Sequence, residues 1–303
     1  MNIFLVGDIM LGRLYNKKIP NTKIWGDSLL YLKKSDLIVG NLEMTITDHN
    51  VQYPDKVFNY KLSKDLAMSH FEPLFGKTVF NTANNHILDY NLLGMKDTYN
   101  FLKRYKCYQV GSGMNLKDAS KYLVLRVKGK KILVFGAADH YDYWEAGIET
   151  PLKGLEGIWF LDIRKYGKRV LECLKYVKMV IEKEKPDLAI FSCHWGPNTV
   201  PKVSLNIRKF GRALIESGID IVHGHSAHHI IPPEKYKNGV IFHSLGDFVN
   251  DYDHSGPFNK QLSYGVMISL ADRKKFKYKI HLFNHDKMTV KEIKYRNINQ
   301  DIK

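Results

Sequence analysis

Asp187–Asn198 reads DLAIFSCHWGPN, and Asp220–His229 reads DIVHGHSAHH. Asp187–Cys193 and Asp220–Val222 have the continuous apolar character of buried strands. A helical pattern over Ser204–Ser217 separates them. The first strand runs into His194; the second runs into His223, His225, His228 and His229. Open α/β sheets place their sites where strands end and loops begin. Five histidines at two neighbouring strand ends therefore predict an α/β fold with a metal or acid/base site. The competing reading makes individual histidines satisfied core or loop residues.

Working outward, the N-terminal half repeats the alternation of strand and helix. Strands are predicted at 2–6, Asp36–Gly40, Phe58–Leu62, Thr78–Phe80 and Cys107–Val110, and helices at Trp25–Lys34, Lys64–Phe71 and 91–105. Tyr122–Val127 and Lys131–Ala137 flank Lys128-Gly129-Lys130, a hairpin signal. Residues 139–162 form a long aromatic loop, and Ile163–Lys185 is an amphipathic helix stopped by Pro186. Beyond Pro232-Pro233 the pattern is all-β, with a meander over Val240–His243, Ser263–Leu270, Lys275–Phe283 and Met288–Ile293. The expectation is one domain over 1–303, with a motif-bearing core at about 3–251 and a β-rich extension of the sheet at about 252–303.

Bulk properties narrow the class. The chain has 303 residues, a formal net charge of +15 and 25% charged residues. No apolar run approaches the roughly 18 residues of a membrane-spanning helix. Met1 leads almost directly into Ile3–Val6 with no leader pattern, so a cytoplasmic location is expected. Three scattered cysteines without CxxC spacing argue against a disulfide framework or a thiolate zinc site. The densest basic stretch, Arg273–Lys279 (RKKFKYK), alternates charge with aromatics. It reads as a lysine-protected strand edge before it reads as a nucleic-acid platform.

Nearly every core strand stops in a carboxylate, carboxamide or imidazole. The set is Asp8, Asn41 with Glu43, Asn84-Asn85-His86 with Asp89, His194 and the histidines of 223–229. Mixed oxygen and nitrogen donors suit Mn, Fe or Zn better than Ca. One or two such ions are expected. Taken singly, each motif has a plainer reading as a turn, a helix cap or a surface residue.

Six stretches carry a resemblance to a known family. They are Gly7-Asp8-Ile9-Met10-Leu11-Gly12-Arg13, Asn41-Leu42-Glu43, Ala83-Asn84-Asn85-His86 with Asp89, His194-Trp195-Gly196, Gly224-His225-Ser226-Ala227-His228 and Ser244-Leu245-Gly246-Asp247-Phe248. In this order the chain resembles the poly-γ-glutamate capsule synthesis family (CapA/PgsA), which is similar to calcineurin-like metallophosphoesterases. The resemblance implies a four-layer α/β/β/α sandwich. It implies metal ligation by Asp8, Glu43, Asn85, His194, His225 and His228, with Glu43 as a candidate bridge. It places His86 where a leaving-group histidine sits, with Asp89 orienting it. Arg13, Asn41, Asn84 and His229 are the residues expected to meet substrate, while His223 is expected in the core.

Departures from the metallophosphoesterase pattern are Met10 in place of a second histidine and GHxxH in place of GHxH; both are usual for the capsule family. Position 198 is Asn where many relatives carry Glu, and the membrane anchor of many capsule members is not seen. The expected activity is metal-dependent hydrolysis of a phosphoester or other anionic substrate. An accessory or amide-bond-acting factor for poly-γ-glutamate is the alternative. The expected partner is an anionic small molecule or polymer, with nucleic-acid binding ranked last for want of a recognition motif.

Overall fold

The computed structural model describes residues 1–14, 23–200, 202–251, 261–286 and 289–293. In chain order the main elements are β1 (Asn2–Met10), α1 (Leu29–Lys34), β2 (Leu37–Leu42), α2 (Lys64–His70), β3 (Thr78–Asn81), α3 (Asn91–Arg104) and β4 (Tyr108–Val110). Then come β5 (Leu123–Val127), β6 (Lys130–Ala138), α4 (Lys168–Glu184), β7 (Leu188–His194), α5 (Leu205–Glu216) and β8 (Ile221–His225). The chain closes with β9 (Glu234–Tyr236), β10 (Gly239–Phe242), β11 (Asp247–Asn250), β12 (Leu262–Asp272), β13 (Lys275–Asp286) and β14 (Thr289–Ile293).

Two sheets stack face to face. One has the order β14-β13-β12-β1-β2-β3-β4, with β11 also pairing with β1; the other has the order β9-β10-β8-β7-β6-β5. β1 to β4 run parallel, as do β6, β7, β8 and β10. Strand periodicity sorts the side chains into layers. Ile3, Leu5, Val39, Val134, Ile190 and Ile221 fill the space between the sheets. Phe4, Phe71, Phe80 and Phe248 pack on the outside of the first sheet, and Phe135, Phe191 and Phe210 on the outside of the second. The result is the expected α/β/β/α sandwich. Each fully buried Phe, Leu or Ile contributes roughly 1.5–3 kcal/mol.

Several boundaries differ from expectation. The helix expected from Ile163 starts at Lys168, because Ile163 is wholly buried in the second sheet's outer core and Gly167 is the N-cap. Lys185 takes a left-handed φ of 46° before Pro186 and ends it. The strand expected over Phe58–Leu62 shrinks to Lys61–Leu62 against Thr45–Ile46. The terminal meander is only β12 to β14; β10 instead runs parallel to β8 in the other sheet. Residues 252–260 and 294–303 of the expected extension, and Met288 of its last strand, lie outside the described residues.

One irregularity positions the site. Along β1, Ile3 and Leu5 face the other sheet, while Phe4 and Val6 face the helices. Strict alternation would send Asp8 outward with Phe4 and Val6. The register slips between Leu5 and Asp8 against β2, and again between Asp8 and Ile9 against β11. This bulge turns Asp8 to the interior face. It also brings Gly7 so close to β11's approach that a Cβ there would lie 1.8 Å from the Gly246 carbonyl oxygen. Gly7→Ala is expected to destabilise the fold by about 1–3 kcal/mol, the usual range for overpacking. Denaturant unfolding should show a lower midpoint at unchanged slope.

Candidate metal centre

The C-terminal ends of the parallel strands of both sheets converge on one buried cluster. Asp8 and Glu43 come from β1 and from just past β2, Asn85 and His86 from the loop after β3, His194 from β7 and His225 from β8. Asp8, Glu43, His194 and His225 are wholly buried. His228 comes from the loop after β8, where Ser226 and His228 hold positive φ of 98° and 57°. Such backbone strain is retained where the surroundings enforce it, often at sites.

Two groups of donors share Asp8. Asp8, His194 and His225 each offer an atom within 4.8 Å of the others, and so do Asp8, His228 and Asp247. His194 Nδ1 faces His225 Nδ1 at 3.0 Å, and His225 Nδ1 is 3.6 Å from Asp8 Oδ1. His228 Nδ1 is 2.8 Å from Asp247 Oδ1 and 3.7 Å from Asp8 Oδ2. Glu43 Oε1 lies between the groups, 3.6 Å from His194 Nε2 and 3.9 Å from His228 Nε2. Asn85 Oδ1 is 2.9 Å from His194 Nε2. The residue common to both groups is thus Asp8, with Glu43 beside them.

This donor set fits a divalent cation. Three carboxylates, Asp8, Glu43 and Asp247, are buried together. Burial pushes Asp8 up to about 6, helped by the charge of Asp247 and opposed by His228. Burial, then the charges of Asp8 and Asp247, hold Glu43 well above the usual carboxylate range. Burial and neighbouring imidazoles keep His194 and His225 well below the usual histidine range, hence neutral and ready to ligate. Glu43 Oε1 is buried without a hydrogen-bond partner. A cation among these groups compensates the charge and occupies that oxygen.

A cavity of about 510 Å³ opens over the cluster, with Met10, Arg13, Lys56, His86 and His228 among its walls. His86 Nδ1 is 2.6 Å from Asp89 Oδ2, and the Tyr60 amide donates to the same oxygen at 2.6 Å. The buried Lys56 ammonium pairs with Asp89, donates to the Asn85 carbonyl and lies 3.0 Å from His86 Nδ1. Burial pulls His86 down to about 4; Asp89 opposes this and Lys56 adds to it. Arg13 stands exposed at the rim, its guanidinium 5.8 Å from the Phe58 ring centre.

Three of the four residues expected to meet substrate, Asn41, Asn84 and His229, make internal hydrogen bonds. Asn41 donates to Asp8 Oδ1 at 2.7 Å and to Glu43 Oε2 at 3.1 Å, so it gathers the carboxylates. Asn84 donates to Asn41 Oδ1 at 3.0 Å and to the Leu42 carbonyl at 2.8 Å, and accepts from the His86 amide at 3.0 Å. Both are wholly buried, with their amide groups committed to this network. His229 bonds the Ala227 carbonyl at 2.7 Å and is not among the residues lining the cavity. His223 bridges the sheets, 2.8 Å from the Val6 carbonyl and 2.9 Å from Ser192 Oγ. Four residues beside the cluster carry no role in the sequence reading. Asp247 lies in the Ser244–Phe248 stretch, which assigns it none. Asp139-His140 follows β6, with His140 Nδ1 2.5 Å from Asp139 Oδ1 and its ring 5.0 Å from that of His194; the strand-end rule applied to β6 would have found it. Lys56 sits in an irregular stretch with no sequence signal.

A family model described as "Bacterial capsule synthesis protein PGA_cap" matches residues 2–252. The chain belongs to that family. It is 31% identical over 265 residues to "Capsule biosynthesis protein CapA" of Bacillus anthracis, covering 83% of this chain and 60% of the relative. It is 32% identical over 253 residues to "PGA biosynthesis protein CapA" of Bacillus subtilis, covering 81% and 62%. A "Probable polyglutamine synthesis accessory protein" of Mycobacterium tuberculosis is 32% identical over 263 residues, covering 82% and 66%. The chain therefore spans less than two thirds of the length of these relatives. Among solved structures, a hypothetical protein from Thermus thermophilus aligns over 94% of this chain and 100% of its own, with a TM-score of 0.53 at 13% identity. A 5'-nucleotidase precursor from the same organism aligns over 93% and 54%, with a TM-score of 0.51 at 13% identity. These likenesses establish the fold alone, the two-sheet α/β sandwich shared with both structures.

Two outcomes are expected. In metal-free protein, Asp8 has a folded-state pKa near 6 against an ordinary 3.8, so its protonated form favours folding at low pH and this stability is lost as pH rises through about 6. Asp8→Asn removes that loss. The stability of Asp8→Asn relative to wild type should rise from pH 4 to pH 7, measured by denaturant unfolding at each pH. Separately, Asp247→Ala should weaken Mn or Zn affinity by at least about tenfold, measured by titration and metal content.

Proposed function

We propose that this protein is a metal-dependent hydrolase of an anionic substrate, a phosphoester first, working in capsule-type polymer metabolism. The observation that carries this reading is the cluster of three buried carboxylates and three histidines beneath a cavity lined by Arg13 and Lys56. Asp8, Glu43, His194, His225, His228 and Asp247 would hold one or two ions of Mn, Fe or Zn, with Asn85 completing the set. Bound there, the metal supplies Lewis acidity and activates water for attack.

The chain's own residues do the rest. Arg13 at the rim attracts the anion and turns it toward the cluster. Asp89 fixes the His86 tautomer by accepting a hydrogen bond from Nδ1–H, which leaves Nε2 for the cavity that His86 lines. Lys56 neutralises Asp89 and disfavours imidazolium. Burial first, with Lys56 adding to it, keeps His86 neutral at pH 7, and its Nε2 takes the proton released by the attacking water and passes it to the departing oxygen. Asn41 keeps the Asp8 and Glu43 carboxylates together throughout.

An accessory, polymer-handling role is the second reading. Met10, in the cavity wall where a metallophosphoesterase carries a histidine, and the accessory role named for the mycobacterial relative favour it. Metal-loaded protein assayed on generic phosphomonoesters, phosphodiesters and poly-γ-glutamate separates the two. Turnover should require Mn, Fe or Zn. His86→Ala should lower kcat about 10²–10⁴-fold with metal retained, and His194→Ala should lose both metal and turnover. Metal bound without turnover on any substrate would overturn the hydrolase in favour of the accessory role.

A further inference from the structure

The cavity over the metal cluster has a neighbour. A second, smaller cavity of about 180 Å³ opens beside it, and the two share Asn85, Tyr141 and Asn198 as a common wall. Asn85 is the part of that wall that reaches the donors, with Oδ1 2.9 Å from His194 Nε2. The larger cavity lies on the side of His86 and His228. The smaller lies on the side of His140, whose ring is 5.0 Å from that of His194. The two cavities are thus two arms of one cleft, meeting at Asn85.

The smaller arm suits an oxygen-rich group. Its one acidic wall residue, Asp139, is committed on both oxygens: Oδ1 to His140 Nδ1 at 2.5 Å, and Oδ2 to the Gly196 amide at 2.9 Å. Arg164 is the cation of this arm. It is exposed and makes no ion pair among the described residues. The nearby Asp162 turns instead to Lys165, at 3.2 Å. The backbone that carries Arg164 is anchored: Ile163 is wholly buried, and the Arg164 carbonyl accepts from Asn206 at 2.6 Å. Asn198 adds an amide without charge. A guanidinium on an anchored backbone, with no acid of its own, recognises an anionic or oxygen-bearing partner.

Size separates a substituent from a water. A water takes up about 30 Å³ in the liquid, so an arm of about 180 Å³ has room for about six. The nucleophile needs one. A phosphomonoester carries a single substituent, and the arm that holds His86 receives it as the leaving group. A diester has a use for both arms.

We infer that the substrate is a phosphodiester lying across the cluster, its departing alcohol in the His86 arm and its retained alcohol in the arm of Arg164. This rests on the phosphoester reading of the metal centre and narrows it. Water adds to phosphorus and the bond to the departing oxygen breaks. One water proton passes through His86 to that oxygen; the other leaves with the phosphomonoester product. The second ester bond stays intact, and Arg164 holds the substituent it carries.

The test compares bis(p-nitrophenyl) phosphate with p-nitrophenyl phosphate on the metal-loaded full chain. The leaving group is the same, and only the retained substituent differs. The kcat/KM ratio should favour the diester at least about tenfold. Arg164→Ala should lower that diester-to-monoester ratio about tenfold, through KM and not kcat, and Arg164→Lys should restore part of it. In metal-loaded His86→Ala, where turnover is slowed, calorimetry reads the affinities of the same two esters. Adding Arg164→Ala there should again lower their ratio about tenfold. This binding measurement decides the matter even if the centre hydrolyses neither ester, so failure of the hydrolase reading and failure of this inference are distinguishable. A preference for the monoester, or a diester that does not bind, would overturn the proposal. So would a ratio indifferent to Arg164, or equal losses on both esters, which would put Arg164 on the scissile phosphoryl group.

Discussion

Three carboxylates sealed together inside a protein repel one another, and the strand ends of this molecule are arranged around that fact. Asp8, Glu43 and Asp247 come from three separate places in the chain and reach one buried volume. Amides gather them: Asn41 bonds two at once, and Asn250 donates to Asp247 at 2.8 Å. Imidazoles held neutral by burial surround them. Such an arrangement is poorly stable without a cation and well suited to one.

The sandwich is what makes this burial achievable. Each sheet contributes the C-terminal ends of its parallel strands, and neither sheet alone carries the full donor set. The inter-sheet core ends in polar ties beneath the cluster: His223 joins β8 to the Val6 carbonyl, and Asn81 from the first sheet reaches His225 Nε2 at 3.2 Å. These contacts fix the spacing of the two donor sets before any ion binds. Hydrophobic packing supplies the stability that the polar site consumes.

Much of this was legible in the sequence. Strand periodicity and the polar residues at strand ends pointed to Asp8, Glu43, Asn85, His194 and His225, because both signals are local. Asp247 carried no comparable signal. Its placement depends on β11 returning to pair with β1 across more than two hundred residues, and on a bulge that reverses the parity of Asp8. The roles of Asn41 and Asn84 needed geometry as well: an amide that orders carboxylates and one that meets substrate look alike in sequence. Lys56 is set by an irregular segment that no period describes. The late start of α4 reflects Ile163 finding a better place in the core than on a helix.

The distribution of donors along the chain has a consequence for biogenesis. Asp8, Glu43 and Asn85 leave the ribosome early, whereas His225, His228 and Asp247 come from the last third. At roughly 5–20 residues per second, the early carboxylates wait on the order of tens of seconds for their partners. The strand that returns to β1 is also the one that delivers Asp247. The donor set is therefore complete one strand before β12 covers the rest of the same β1 edge, and a nascent chain released before β11 emerges would carry unpaired acids along an open sheet edge.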